Sequence, residues 1–345
     1  RITGGSSRKR AQKGLAVFAR GALSEDRFNY SPFENRDYTD VKSFTLRAAG
    51  TEGRGTRFKD AFLTSLAAGT NVLYQDVRVV NVYINGNYWG HYNLREKINK
   101  YSIAQWEGIT DEDVIDNINI LKNKGDVLQG SALEMTRLIT FCRTKDLNDK
   151  ANLPHVLDRI DVMSWFDHTI FEIITGNEDP ENVRYYQVPG GKWKYVLYDL
   201  DAGGISDPQG IYMLLYSGKA GGQISSQYSL LSNLLKVPEM KDRFLTTFAH
   251  VMEHSFLYES VVDPIIDRWE ATLKELLPRH LKHYTSLTLP TWRTNVGAFR
   301  YAIRTNPRKT IDEVSTILGL TKAEKEHYFA HVLELLAVQN AKDKQ

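Results

Sequence analysis

Asn177-Glu178-Asp179-Pro180-Glu181-Asn182, then Val183–Val188, the turn Pro189-Gly190-Gly191, and Lys192-Trp193-Lys194-Tyr195-Val196-Leu197-Tyr198-Asp199-Leu200-Asp201-Ala202-Gly203-Gly204 form the stretch that decides the fold class. Two short runs of β-branched and aromatic residues meet at Pro-Gly-Gly, which is turn chemistry, so the stretch reads as a hairpin. A carboxylate and an amide stand where the chain enters it, at Asp179 and Asn182, and two carboxylates where it leaves, at Asp199 and Asp201. Both ends of one short ribbon are expected to open on the same side.

Outward from this hairpin the patterns are helical. Leu128–Cys142, Leu153–Thr175, Ser229–Leu235, Met240–Glu253, Leu257–Lys282 and Val296–Arg304 each repeat apolar residues at i, i+3, i+4 or i+7. Asn306-Pro307 is expected to start a separate short helix at Thr310–Leu318, and Gln339–Gln345 reads as a fraying polar tail. Asp201–Gly222 holds six glycines with little periodicity and reads as a loop, over a site or simply on the surface.

The first hundred residues read differently. Gly14–Arg20 and Lys42–Arg47 are short strand-like runs, and Val77–Ile84 and Gly90–Leu94 flank Asn85-Gly86-Asn87, a strong hairpin signal because both central residues accept positive φ. Thr56–Ala68 between them repeats Phe58, Phe62 and Leu66 at helical spacing. The expectation is α+β: a strand-rich lobe over 1–97 and a larger, mainly helical lobe over 98–345, with a ligand cleft between them. A strand ahead of the Gly4-Gly5 turn is also expected.

Composition narrows the functional classes. The chain has 345 residues, 42% hydrophobic and 25% charged, which suits a folded protein with a sizeable core. No run reaches the roughly 18 to 20 apolar residues that cross a bilayer. Lys plus Arg (44) nearly balances Asp plus Glu (42), so a net charge of +2 gives no field marking nucleic acid as a partner. The single cysteine, Cys142, excludes an intramolecular disulfide and reads as a buried thiol.

Three clusters can carry chemistry. Thr3-Gly4-Gly5-Ser6-Ser7-Arg8, with Lys9, Arg10 and Lys13 behind it, offers backbone N–H groups, hydroxyls and charge to a polyphosphate, or makes a basic turn. Asp179 and Asn182 suit a proton acceptor and a neutral metal ligand, though Asn, Asp and Pro are also ordinary turn residues. Asp199 and Asp201, at a strand end before glycines, suit a divalent cation carrying phosphate oxygens, or simply a solvated turn. The histidine pairs His250/His254 and His327/His331 lack the glutamate of a metalloprotease helix and read as helix-face residues.

Taken together, Thr3–Arg8 with Gln12-Lys13, Phe44–Gly50, Val82-Tyr83-Ile84-Asn85-Gly86-Asn87-Tyr88-Trp89-Gly90 continuing to Leu94-Arg95-Glu96, Gly176–Asp179 with Asn182, and Trp193 leading to Asp199-Leu200-Asp201 resemble the spore coat protein H (CotH) kinase family. The resemblance implies a divergent bilobal protein-kinase-like fold that binds ATP with Mg²⁺ or Mn²⁺ between its lobes and phosphorylates Ser or Thr of a protein partner, such as a coat or surface protein. It implies a secreted or surface-associated bacterial protein. By the same resemblance Gly4, Gly5, Ser6, Ser7 and Arg8 form the phosphate-side loop, and Thr56–Ala68 is the counterpart of the kinase αC helix. Glu96 leads into the hinge beside adenine, Asp179 is the base, and Asn182, Asp199 and Asp201 hold metal. A departure stands at Arg47, where a kinase expects lysine; Asp60 is its candidate acidic partner, and Lys13 or Lys42 could serve instead. Arg presents a planar fork rather than a point charge, so a nucleotide-binding pseudokinase acting as an assembly module is the alternative.

Overall fold

The computed structural model describes residues 1–342 except 24, 124, 180, 181, 204–229 and 231. The loop expected over Asp201–Gly222 therefore lies largely outside the described residues, and of the helix expected over Ser229–Leu235 the described residues 230 and 232–234 are helical.

The architecture is α+β, with two five-stranded sheets and helices concentrated in the C-terminal half, a bilobal kinase-like layout. The first sheet runs β1 (Ile2–Thr3), β2 (Gly14–Phe18), β3 (Ser43–Arg47), β6 (Asn87–Glu96), β5 (Val77–Ile84), antiparallel throughout. Asn85 at φ 50° and Gly86 at φ 79° make the two-residue turn between β5 and β6, the geometry that Asn-Gly permits. Strand β6 is longer than Gly90–Leu94. Gly90, at φ 135°, lets Gln12, Tyr284 and His280 approach its backbone, where a Cβ would sit 2.9 Å from Gln12 Nε2.

The hairpin read from the sequence is β9 (Arg184–Gln187) and β10 (Lys194–Leu197), and it is not isolated. It forms the centre of a second sheet ordered β4-β10-β9-β7-β8, with β4 (Leu73–Tyr74) parallel to β10, and with β7 (Asn119–Lys122) and β8 (Asp126–Gln129) on the other side. This corrects the helix expected from Leu128. Leu128 and Gln129 are strand, Gly130 turns the chain at φ 72°, and helix α4 runs Leu133–Thr144.

The helix expected over Leu153–Thr175 is two: α5 (Asn152–Leu157) and α6 (Val162–Thr175). Asp161 breaks it by capping α6, its side chain accepting the Ser164 N–H at 3.0 Å, while Ile160 bridges to Trp193. Conversely, the break expected at Asn306-Pro307 does not occur, because one helix, α9, spans Leu289–Ile317. Asn306, Pro307, Thr310 and Ile311 are all buried there, and that burial offsets the roughly 3 kcal/mol a proline costs a helix interior. Helices α2 (Lys100–Glu107), α3 (Glu112–Asp116), α7 (Pro238–Ser255), α8 (Asp263–His283) and α10 (Lys322–Lys342) complete the numbered α-helices among the described residues, the last extending through the start of the expected tail.

The small sheet has its own apolar cluster around Phe33, Val41, Leu46, Tyr92 and Leu94. Helix α1 (Lys59–Ser65), within the expected Thr56–Ala68, does not belong to it: Phe62 and Leu63 enter the large core. Phe58, just ahead of α1, stacks on Trp269 of α8 at 5.8 Å and meets Phe299 of α9 edge-on at 6.0 Å. The element that follows the small sheet's third strand is thus anchored in the helical layer. That anchoring fixes how β3 faces the end of β10.

Candidate functional site

Where the two sheets face each other they enclose a cleft of about 840 Å³. The small sheet and its N-terminal turn contribute Gly4, Gly5, Ser7, Arg8, Arg10 and Arg47, and the hairpin ends contribute Asp179, Asn182, Arg184, Tyr198, Asp199 and Asp201. Among the described residues, seven cationic side chains line it, from Arg8, Arg10, Arg47, Arg95, Lys97, Lys122 and Arg184, against four carboxylates, from Asp126, Asp179, Asp199 and Asp201. A cleft so lined suits a polyanion bound next to a patch of acids.

The acidic patch is built around Arg47 at the end of β3. Its Nε lies 3.2 Å from Asp60 Oδ2 and its Nη2 lies 2.8 Å from Asp201 Oδ2, while the same Nη2 also pairs with Asp199. Burial opposes the charge, but Asp60, Asp199 and Asp201 outweigh it and hold the guanidinium proton well above its ordinary affinity. Asp60, on α1, is buried. Its Oδ2 takes Arg95 Nη1 at 2.7 Å as well, and its Oδ1 accepts the Leu200 N–H at 2.8 Å. Despite burial, Arg95 and Arg47 keep the Asp60 carboxyl below the usual carboxylate range. One carboxylate therefore ties β3, β6, α1 and the turn after β10 together.

The turn itself is shaped by backbone. Asp199 takes a left-handed conformation at φ 64°, which Asp tolerates better than most residues, and a short 3-10 turn follows over Leu200–Ala202. Opposite it, Gly50 is also left-handed, at φ 49°, and a Cβ there would run into the Asp201 carboxylate and stand 2.9 Å from Arg47 Nη2. Asn182 donates from Nδ2 to Asp199, and its Oδ1 accepts from Tyr198 OH at 2.6 Å. Asp179 sits in an Asx turn, its N–H donating to Asn177 Oδ1 at 3.3 Å.

Most of the residues singled out in the sequence thus come together: Gly4, Gly5, Ser7, Arg8, Arg47, Asp179, Asn182, Asp199 and Asp201 share one cleft, with Asp60 directly behind Arg47. The side chain of Ser6 lies outside the description. Lys13 does not line the cleft; its Nζ donates to the Arg8 carbonyl at 2.6 Å. Lys42 pairs with Asp26 at 2.6 Å. Glu96 is also turned away. Its carboxylate accepts from Arg36 at 2.8 and 3.0 Å, from Trp106 Nε1 at 2.9 Å, from the Asp76 N–H at 2.7 Å and from Tyr38 OH, so it braces the lobe junction.

Arg10 belongs to the basic N-terminal turn already read from the sequence, whereas Arg95, Lys97, Lys122 and Arg184 carried no cleft role there. Arg184 stands two residues past Asn182 at the start of the hairpin and lies 5.0 Å over the Tyr198 ring. Lys59, at the start of α1, is a buried lysine whose pKa burial lowers against the pull of Glu52, Asp201, Asp60 and Glu178. Periodicity alone gave it no special place.

Residues 1–310 match the family described as CotH kinase protein. The chain belongs to the CotH kinase family. No curated protein matches it. The CotH kinase match spans both sheets and ends within α9, so the cleft and every residue of the acidic patch lie inside it.

The donor set of this CotH kinase chain fits a divalent cation of the Mg²⁺ type. Asp199, Asp201 and the Asn182 amide are few, hard oxygen donors, and Mg²⁺ is commonly held by one or two carboxylates together with water and substrate phosphate. No group of three His, Cys, Asp or Glu side chains poised to hold a metal occurs among the described residues. In the structure a side-chain cation, the Arg47 guanidinium, bridges Asp199 and Asp201. Elsewhere, His254 Nδ1 bonds the His250 carbonyl at 2.9 Å and His331 faces Glu253, as ordinary helix-face residues do. Cys142 is buried, and burial pushes its thiol up to about 12. Among the described residues no helix is long and apolar enough to cross a membrane.

Proposed function

We propose that this chain is an atypical protein kinase that moves the ATP γ-phosphoryl group to a Ser or Thr hydroxyl of a protein partner, with Mg²⁺ or Mn²⁺. The supporting observation is the juxtaposition, in one basic cleft, of Asp179 and Asn182 before the hairpin with Asp199 and Asp201 after it. On this reading 1–97 is the nucleotide-covering lobe and 98–345 the acceptor-binding lobe. The backbone and hydroxyl groups of Gly4–Arg8, with Arg8 and Arg10, bind phosphate oxygens from above. Arg47, held by Asp60, neutralises phosphate charge, and Asn182 and Tyr198 fix the Asp199 carboxylate. Asp179 orients the acceptor hydroxyl and takes its proton as the new P–O bond forms and the bond to ADP breaks. When bound, the divalent cation supplies further neutralisation of phosphate charge through Asp199 and Asp201. A coat or surface protein is the acceptor class that the resemblance to the spore coat family favours, with the protein secreted or surface-associated.

The second reading, a nucleotide-binding pseudokinase serving as an assembly module, is favoured by one observation: Arg47 satisfies the carboxylates that would grip metal. Transfer of labelled γ-phosphate from ATP with Mg²⁺ and with Mn²⁺, in wild type, Asp179→Ala and Asp199→Asn, separates the two. Label lost in both variants supports the kinase. Nucleotide-dependent thermal stabilisation with no label in wild type supports the pseudokinase, and neither binding nor label overturns both.

A further inference from the structure

The last turn of α6 carries a buried acid with no role in the site as described so far. Glu172 is 2% exposed, and its Oε2 accepts a hydrogen bond from Asn177 Nδ2 at 2.7 Å. Asn177, 1% exposed, in turn accepts the Asp179 N–H on its Oδ1 at 3.3 Å. The backbone closes the same turn: Asn177 N–H donates to the Glu172 carbonyl at 3.1 Å, across Gly176 in the left-handed conformation at φ 57°. One carboxyl therefore reaches the candidate base through one amide.

Helix stability does not explain an acid there. The C-terminal turn is the negative end of the helix dipole, where a carboxylate is disfavoured, and a buried carboxyl is harder to place than an apolar side chain of similar volume. What Glu172 does that leucine cannot is grip the Asn177 amide. We propose that Glu172 is a positioning residue for phosphoryl transfer, setting the Asp179 turn through Asn177. This rests on the kinase reading above.

The groups facing Glu172 define its state. His168, one turn earlier on α6, has Nε2 3.7 Å from Glu172 Oε1, and Asp179, Asp199 and Asp60 add negative field from the adjoining loop, the hairpin end and α1. Burial first, and these acids second, push the Glu172 carboxyl up to about 8, while burial drops His168 to about 3. At neutral pH the two are a neutral acid and a neutral imidazole rather than an ion pair. Glutamine is then the faithful mimic of Glu172.

The test compares full-length wild type, Glu172→Gln, Glu172→Ala and Asn177→Ser. Glu172→Ala should lower kcat by about ten- to a hundredfold with KM for ATP little changed, because the base is misplaced and the nucleotide is not. Glu172→Gln should restore kcat at pH 7, because its side-chain carbonyl can accept the Asn177 Nδ2–H as Glu172 Oε2 does. Hydrogen exchange of the peptide covering residues 172–179 gives a readout that needs no activity: amide protection should drop about tenfold in Glu172→Ala and Asn177→Ser and persist in Glu172→Gln. Asn177→Ser carries the test should Glu172→Ala fail to fold. A wild type that transfers no phosphate ends the kinase reading, and with it the catalytic part of this proposal. Unchanged protection in Asn177→Ser overturns the link itself, as does a Glu172→Gln variant as impaired as Glu172→Ala.

Discussion

Replacing Arg47 with Met keeps the side chain's stem and removes the charge that three carboxylates share. In the wild type, Asp60 keeps a second partner in Arg95 and Asp199 keeps the Asn182 amide, while the Arg47 guanidinium pairs with all three carboxylates. The Arg47 side chain is 23% exposed, Asp201 10% and Asp60 2%, so the network lies mostly out of water. Removing one partner of such a pair costs about 3–5 kcal/mol because charge is left buried without compensation. With an unfolding entropy of roughly 2.1 cal/mol/K per residue, or about 0.7 kcal/mol/K for this chain, Tm should fall by about 4–7 °C. A divalent cation on Asp199 and Asp201 would replace the missing charge. Mn²⁺ without nucleotide should therefore stabilise Arg47→Met more than wild type, recovering about 2.7 kcal/mol at a hundredfold excess over Kd. Differential scanning fluorimetry against a Mn²⁺ series reads both effects, with Ca²⁺ and added NaCl as controls for general screening. Equal Mn²⁺ stabilisation of the two proteins would refute the claim that the guanidinium and the metal compete for one place, and an unchanged Tm would refute the network's energetic weight.

Three further outcomes follow from the same geometry. Asp199→Asn should abolish metal-dependent transfer with little loss of stability, whereas Asp199→Ala should cost about 1 kcal/mol more, because alanine lacks the polar side chain that eases a left-handed backbone at φ 64°; equal urea midpoints for the two would contradict this. Gly50→Ala should destabilise by about 1–2 kcal/mol and weaken nucleotide binding, since its Cβ meets the Asp201 carboxylate and its φ of 49° disfavours a side chain; a Tm equal to wild type counts against it. Burial lowers the His168 pKa to about 3, below the 6.5 of the unfolded chain, so the unfolded state binds the extra proton and this contribution to stability, full above about pH 6.5, declines as pH falls toward 3. The slope from this residue is about 1.4 kcal/mol per pH unit, and urea titrations from pH 7 to 4.5 should show it reduced by that amount in His168→Phe.

Much of the fold was legible because local chemistry and tertiary context agreed. Asn85-Gly86 specified its turn through backbone alone, and the hairpin around Pro189-Gly190-Gly191 combined turn residues with strand-forming neighbours. Where context prevailed, the reading failed. Asp126–Gln129 is strand because β7 supplies its hydrogen-bonding partner, a fact absent from Val127-Leu128, whose apolar pair also continues a helical pattern into α4. Pro307 lies within α9 because the surrounding core holds both sides of it, which no local rule for proline anticipates.

The site was legible to a similar degree and for a similar reason. Asp179, Asn182, Asp199 and Asp201 flank one hairpin, so short-range geometry delivers them to one place, and Asn182 does bond Asp199. Glu96 shows the limit. The resemblance implied a cleft role at the end of β6, but side-chain direction depends on Arg36 and Tyr38, which arrive from about 60 residues away, and on Trp106 from the next helix, which take the carboxylate for themselves. Arg47 shows the opposite case, since its partners lie 13, 152 and 154 residues away and only the closed fold reveals that one guanidinium serves Asp60, Asp199 and Asp201. An arginine in place of lysine looked like a lost function in the sequence. In the fold it is a cation that occupies the acidic patch and is tethered by Asp60 in the same cleft as the Gly4-Gly5 turn, so the decisive question becomes whether metal displaces it. The Mn²⁺ response of Arg47→Met answers that independently of any phosphoryl transfer.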